Sequence, residues 1–108
     1  MQRAVLLTDG AARDLDDLCA YVARHDTPQR AMHVLAQIQQ AVASLAETPE
    51  RGVVPAELDQ LGIRTYREIF FKPYRIVYRV QPDAVLVLLI ADGRRDLQSL
   101  LARRLLEA

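Results

Sequence analysis

The stretch from Tyr66 to Asp96 limits what this chain can fold into more than any other. It reads Y-R-E-I-F-F-K-P-Y-R-I-V-Y-R-V-Q-P-D-A-V-L-V-L-L-I-A-D-G-R-R-D. Three apolar runs are separated by two turn signals, Lys72-Pro73 and Gln81-Pro82-Asp83. Such a pattern predicts three short strands in an antiparallel meander. From Tyr74 to Val80 the residues alternate, with Tyr74, Ile76, Tyr78 and Val80 on one face and Arg75, Val77 and Arg79 on the other. Val85 to Ala91 is apolar throughout, as in a central strand covered on both faces. The run breaks at Asp92-Gly93 and releases Arg94-Arg95. A sheet with arginines on one face and at one end is expected to bind something anionic.

The rest of the chain must cover this sheet. Ala4-Val5-Leu6-Leu7 is a fourth apolar run, expected to join it. Thr8 or Asp9 can cap a helix whose apolar stripe is Leu15, Leu18, Cys19 and Val22. Asp14, Asp16 and Asp17 fall in its early turns, where the helix dipole favours negative charge. The helix should stop near Arg24-His25. Thr27-Pro28 is a restart, a capping Thr followed by Pro at the first helical position. The second stripe is Ala31, Val34, Leu35, Ile38, Val42 and Leu45, and it ends before Thr48-Pro49. That helix should be roughly 30 Å long. The short connection makes the two an antiparallel hairpin packed on the sheet. Residues 50–65 show no sustained period and read as a long loop with a helical turn near Ala56–Leu61. Leu97, Leu100, Leu101 and Leu105 predict a short closing helix. The expected fold class is α+β: an N-terminal strand, a helical hairpin on an antiparallel meander, and a C-terminal helix. The core should include Leu18, Val22, Leu35, Ile38, Val42, Ile76, Tyr78, Leu86 and Leu88.

At 108 residues and 51% hydrophobic content, the chain is expected to be one domain over residues 1–108. Its net charge of zero hides an asymmetry. Residues 1–63 carry 5 Arg/Lys against 9 Asp/Glu, and residues 64–108 carry 9 against 5. A basic sheet half suits an acidic protein surface or nucleic acid. The lone Cys19 excludes an internal disulfide and suits a reducing compartment. With no signal peptide or membrane span in the pattern, the expected location is cytoplasmic.

Enzyme chemistry finds little material. His25 and His33 lie on different predicted helices and Cys19 on a core stripe, so no metal and no cofactor is expected. Ser44 and Ser99 have no placed base. The arginines remain: Arg67, Lys72, Arg75, Arg79, Arg94 and Arg95 would converge if the strands are neighbours. Metal-free RNA cleavage would also need a base for the 2′-hydroxyl and an acid for the leaving oxygen. Tyr74 and Tyr78 fall on the apolar face, and the closing segment offers Leu100 and Leu101. Arg75 has a structural reading too, with its stem over the sheet and its head paired with Asp92 or Glu68.

The element order, the Tyr74-Arg75-Ile76-Val77-Tyr78 segment and the strand ending Ile90-Ala91-Asp92-Gly93-Arg94-Arg95-Asp96 resemble the RelE/ParE superfamily of type II toxin–antitoxin modules. The resemblance covers nearly the whole chain and implies the α+β fold above. It also implies a cognate, ParD-like antitoxin whose extended C-terminal segment wraps the toxin, here expected on Leu15, Leu18, Val22, Leu35 and Ile38. RelE-like members cut mRNA on the ribosome, and ParE-like members poison DNA gyrase. The ribonuclease branch keeps an arginine at the Arg75 position and another where Arg94 or Arg95 lies, so Arg75, Arg94 and Arg95 are its candidate catalytic residues here. That branch also has a tyrosine near Leu101 and paired lysines on the first meander strand, where this chain has Arg67 and Ile69. The incomplete acid–base set favours the ParE-like branch, a gyrase inhibitor with no catalytic residue. Its target surface would draw on Arg67, Lys72, Arg75, Arg79, Arg94, Arg95, Arg103 and Arg104. A RelE-like endoribonuclease and a non-catalytic binding module are the alternatives.

Overall fold

The computed structural model describes residues 2–107; Met1 and Ala108, the two ends of the expected 1–108 domain, lie outside them. The order is β1 (Ala4–Leu7), α1 (Asp9–His25), α2 (Pro28–Ala43), α3 (Ala56–Asp59), β2 (Tyr66–Phe71), β3 (Tyr74–Val80), β4 (Ala84–Asp92) and α4 (Leu97–Leu106). Thr8 and Thr27 cap the hairpin helices, accepting from Ala11 N at 3.0 Å and Arg30 N at 2.9 Å. The second helix is shorter than its stripe predicts. The Ser44 hydroxyl donates to the Ala41 carbonyl at 2.6 Å, and the chain tightens into a 3-10 turn over Ser44–Ala46. Leu45 still reaches the core from that turn.

The sheet order is β1-β4-β3-β2. The meander is antiparallel as expected, and β1 joins it parallel to β4, so the sheet is mixed. The hairpin covers one face over Ile38, Ile76, Tyr78, Val85 and Val87, which are buried. The other face is covered by α3 and α4 over Leu58, Tyr66, Val77, Leu89 and Leu101. Of the expected core, Val22, Ile38, Val42, Ile76, Tyr78 and Leu88 are buried, and Leu18, Leu35 and Leu86 are half-buried.

The uniform apolarity of β4 has a local cause. Val77 pairs with Leu89 and Tyr78 with Val87, so Leu88 is an extra residue, a β-bulge. The bulge shifts the strand's parity. Val85 and Val87 face the hairpin, Leu88 and Leu89 join the second core, and Ile90 returns to the first. Both faces therefore demand apolar side chains in succession. β1 ends at Leu7, opposite Val87, so the outer edge of β4 beyond that point has no strand partner. Asp14 of α1 accepts from Ile90 N at 3.0 Å, and Arg104 of α4 donates to the Leu88 carbonyl at 3.0 Å. These side chains do for the edge what another strand would do.

Candidate target-binding site

The eight basic residues expected to meet a target fall into different environments. Arg75 sits on the sheet face that α3 covers, with 14% of its side chain exposed. Its Nε donates to Glu68 Oε1 at 2.6 Å, and its terminal nitrogens reach both Glu57 oxygens, at 2.7 and 2.9 Å, and Glu68 Oε2 at 2.9 Å. Glu68 is the cross-strand neighbour of Val77, and Glu57 descends from α3. Hydrogen bonds donated to Glu57, then to Glu68, push the Arg75 pKa above its ordinary value. Those from Arg75 hold the Glu57 carboxyl below its usual range. The pairing with Glu68 was legible in the alternation of the strands. The partner from the aperiodic loop was not, and Asp92 takes no part in the pairing.

Arg104 is also structural. It is bidentate to Asp14 at 2.9 Å on both contacts, and 15% of its side chain is exposed. Its guanidinium crosses α1 at Gly10, where a Cβ would fall on it. Arg67 donates to the carbonyls of Gly52 at 2.8 Å and Glu50 at 3.3 Å, tethering the long loop. Arg67, Arg75 and Arg104, expected to face a target, are thus tied to groups within the chain. Arg75 and Arg104 are held by carboxylates, and half-buried Arg67 by loop carbonyls.

The remaining five point to solvent. Among the described residues, Lys72, Arg79, Arg95 and Arg103 form no ion pair, and Arg94, with 89% of its side chain exposed, pairs with Asp92 at 3.0 Å. The expected convergence of the meander's basic residues is only partial. Arg79 lies toward the far end of β3, whereas Lys72, Arg94 and Arg95 share the near end. Gly93 N donates to the Pro73 carbonyl at 2.7 Å, which ties the β2–β3 turn to the turn after β4. A Cβ on Gly93 would stand 3.1 Å from that carbonyl, so the approach favours glycine.

Beside this end is a cleft of about 400 Å³ between α1 and the sheet, lined by Asp17, Leu18, Tyr21, Tyr74, Arg94 and Arg95 among others. Arg95 also borders a smaller cavity of about 190 Å³ with Arg103. Burial, and then Asp92, raise the Tyr74 pKa. Hydrogen bonds from Arg94 lower that of Asp92.

Among the described residues, the carboxylates in contact with Arg75 are Glu57 and Glu68, and both are engaged by its guanidinium. Leu101, where the resemblance would place a tyrosine, is buried in the second core. The Tyr78 hydroxyl donates to the Pro49 carbonyl at 2.7 Å and accepts from Gly52 N at 3.0 Å, and burial raises its pKa. The residues expected to hold an antitoxin are largely committed to the fold. Leu15, Val22 and Ile38 are buried, and Leu18 and Leu35 are half-buried against the same core. The stripe that would dock a partner is the one that seals the hairpin to the sheet. Leu15 and Ile38 also border an apolar groove of about 420 Å³ with Val5, Leu7, Val42 and Ala46, beside β1.

A small α+β domain with a helical hairpin on one face and an arginine-rimmed sheet end is the architecture of the RelE/ParE toxins. The pattern of the ParE toxin of type II toxin–antitoxin systems, parDE, matches residues 5–97, and the chain belongs to that family. Among solved structures it is similar to a chain of the chromosomal ParDE toxin–antitoxin system from P. aeruginosa. That likeness has a TM-score of 0.71 and 21% identity over 84% of this chain and 96% of that one. It is also similar to a chain of the RelBE2 toxin–antitoxin complex from Mycobacterium tuberculosis, with a TM-score of 0.60 and 23% identity over 85% and 92%. Both are likenesses of fold. No curated protein matches the sequence significantly. Among the described residues, no helix is long and apolar enough to cross a membrane.

Proposed function

We propose that this ParE-family toxin acts as an inhibitor of DNA gyrase and blocks replication by binding, without cleaving RNA. The observation that carries this reading is the state of Arg75. Four hydrogen bonds to Glu57 and Glu68 occupy its guanidinium. A scissile phosphate would have to displace two carboxylates, one of them buried, and would leave them unpaired. General acid–base catalysis also needs a free titratable group in reach; Glu57 and Glu68 are engaged by Arg75, and Leu101 offers none. The basic groups left for a target are Lys72, Arg94, Arg95 and Arg103, with Arg79 apart.

A cognate ParD-like antitoxin is part of this reading. Its C-terminal segment would lie along β1 and put apolar side chains into the groove at Leu15 and Ile38. Leu18, Val22 and Leu35 would support that wall from within. Such coupled folding buries large surfaces. The testing experiment sets purified gyrase with supercoiled DNA beside translating ribosomes. Loss of supercoiling or accumulation of cleaved DNA, with mRNA intact, is the expected result. Codon-specific mRNA cuts by the wild-type protein would overturn it in favour of a RelE-like endoribonuclease.

A further inference from the structure

The sheet-end cleft holds more than charge. Tyr21 projects from α1 with 57% of its surface exposed, and its ring stacks on His25, centroids 4.0 Å apart and planes 18° from parallel. His25 is fixed in turn by its Nδ1, 3.0 Å from the Tyr21 carbonyl. The stack is an exposed aromatic step one helical turn long. Tyr21 and Tyr74 line the cleft that Arg94 and Arg95 border, and both also line a second hollow with Pro73 and Arg30. Gly93 and Pro73 bring Lys72 to the same end.

We propose that this cleft binds a short single-stranded polynucleotide, with phosphates on Arg94, Arg95 and Lys72 and a base against Tyr21. Arginines beside an exposed ring face form the combination that grips unpaired strands, since every base has a π-face and every linkage a charge. An acidic peptide would use the cations and leave the rings idle. Asp17 on the α1 wall places the phosphates. It repels them from the cleft floor toward the arginine rim, and its carboxylate can accept from a base amino group. In the Arg94–Asp92 pair the arginine is the exposed partner, and surface pairs of this kind hold weakly enough to open for a phosphate.

The inference deepens the gyrase reading, and rests on it for its meaning: the strand would be the DNA that gyrase holds. The test is direct. Labelled oligo-dT and oligo-U of about 12 nucleotides are titrated with the complete chain, and anisotropy is read from low to moderate salt. Binding that weakens with salt is expected, as counterion release requires. The double variant Arg94→Glu/Arg95→Glu should lose tenfold or more and flatten the salt slope by about 1–2. Tyr21→Ala should lose about tenfold and Tyr21→Phe should restore binding, because only the ring is needed. Arg64→Glu, before the opposite end of β2, should change little. Stronger binding of oligo-dT supports the DNA assignment, and a preference for oligo-U overturns it. Failure to bind either strand overturns the proposal, as does an equal loss in Arg64→Glu. So does competition by an oligo-Glu peptide that Tyr21→Ala leaves unaltered. Gyrase assays on the same preparations separate the two readings. A protein that stops gyrase but ignores oligonucleotides sinks only the strand proposal. One that binds strands yet spares gyrase sinks only the gyrase reading.

Discussion

Arg75 and Arg95 stand near the same end of one sheet and do opposite things. Arg75 lies under α3, held by two carboxylates. Arg95 lies past the end of β4 with no ion pair among the described residues. One difference in cover separates them. A guanidinium withdrawn from water must find acceptors within the protein, so its surroundings are built around it. One left in water keeps its donors for whatever arrives. In this fold, the buried arginines join distant segments: Arg75 joins α3 to the sheet, and Arg104 joins α4 to α1 and β4. Lys72, Arg79, Arg95 and Arg103, all exposed, form no ion pair among the described residues. Stability and binding should therefore separate by residue, and substitutions can probe that separation.

The largest effect is expected at Arg75. Arg75→Ala leaves Glu68 buried without its cation and Glu57 without its anchor. Breaking a buried pair in this way costs about 3–5 kcal/mol. Urea unfolding should show that loss, and any loss of toxicity in this variant would follow from folding. A wild-type midpoint would break the comparison.

Gly10→Ala should come next, and the sign is informative. Helix propensity alone predicts a gain of about 1 kcal/mol. The new methyl would meet the Arg104 guanidinium and push it from Asp14 and the Leu88 carbonyl. Overpacking and the broken pair should win, for a net loss of about 1–3 kcal/mol. Thermal unfolding of Gly10→Ala alone and with Arg104→Ala measures the coupling. The methyl should cost much less once the arginine is gone.

Glu57→Gln is expected to cost less, about 1 kcal/mol, because Glu57 is partly exposed. Its effect depends on pH. Arg75 lowers the folded-state pKa of Glu57 below the unfolded value of about 4.3. The stabilisation is therefore present above that value and lost as pH falls through the lower folded value. Wild-type protein should lose stability over that acid window more steeply than Glu57→Gln. Equal slopes in urea midpoints between about pH 5 and 3 would remove Glu57 from the account.

These residues also mark what the sequence could disclose. The two helices, their capping threonines and the three meander strands follow from local rules, from period and turn chemistry. The diagonal cross-strand neighbour Glu68 was within reach of the same rules, since same-face neighbours on paired strands follow once register is known. Glu57, Asp14 and Gly10 were not. Their roles depend on where an aperiodic loop and a closing helix come to rest, and no periodicity encodes that. Asp14 looked like one of three acids serving a helix dipole, yet it is the one that closes the β4 edge. Residue type alone made eight cations equivalent. Cover decided which of them could face a partner.

The smallest effect on stability should come from Arg95→Glu, and there the comparison is sharpest. Exposed substitutions away from special contacts usually stay within about 0.5 kcal/mol. Arg95 borders both cavities at the sheet end, so a reversed charge there changes the field that an anionic target meets. Long-range charge acts mainly through encounter, so the association rate should fall and its salt dependence should weaken. The expected outcome is a wild-type urea midpoint together with reduced gyrase inhibition at low salt. Arg79→Glu, with a similar charge change toward the far end of β3, should leave inhibition near wild type. If Arg79→Glu and Arg95→Glu impaired inhibition equally, net charge would explain the activity and the sheet end would lose its claim.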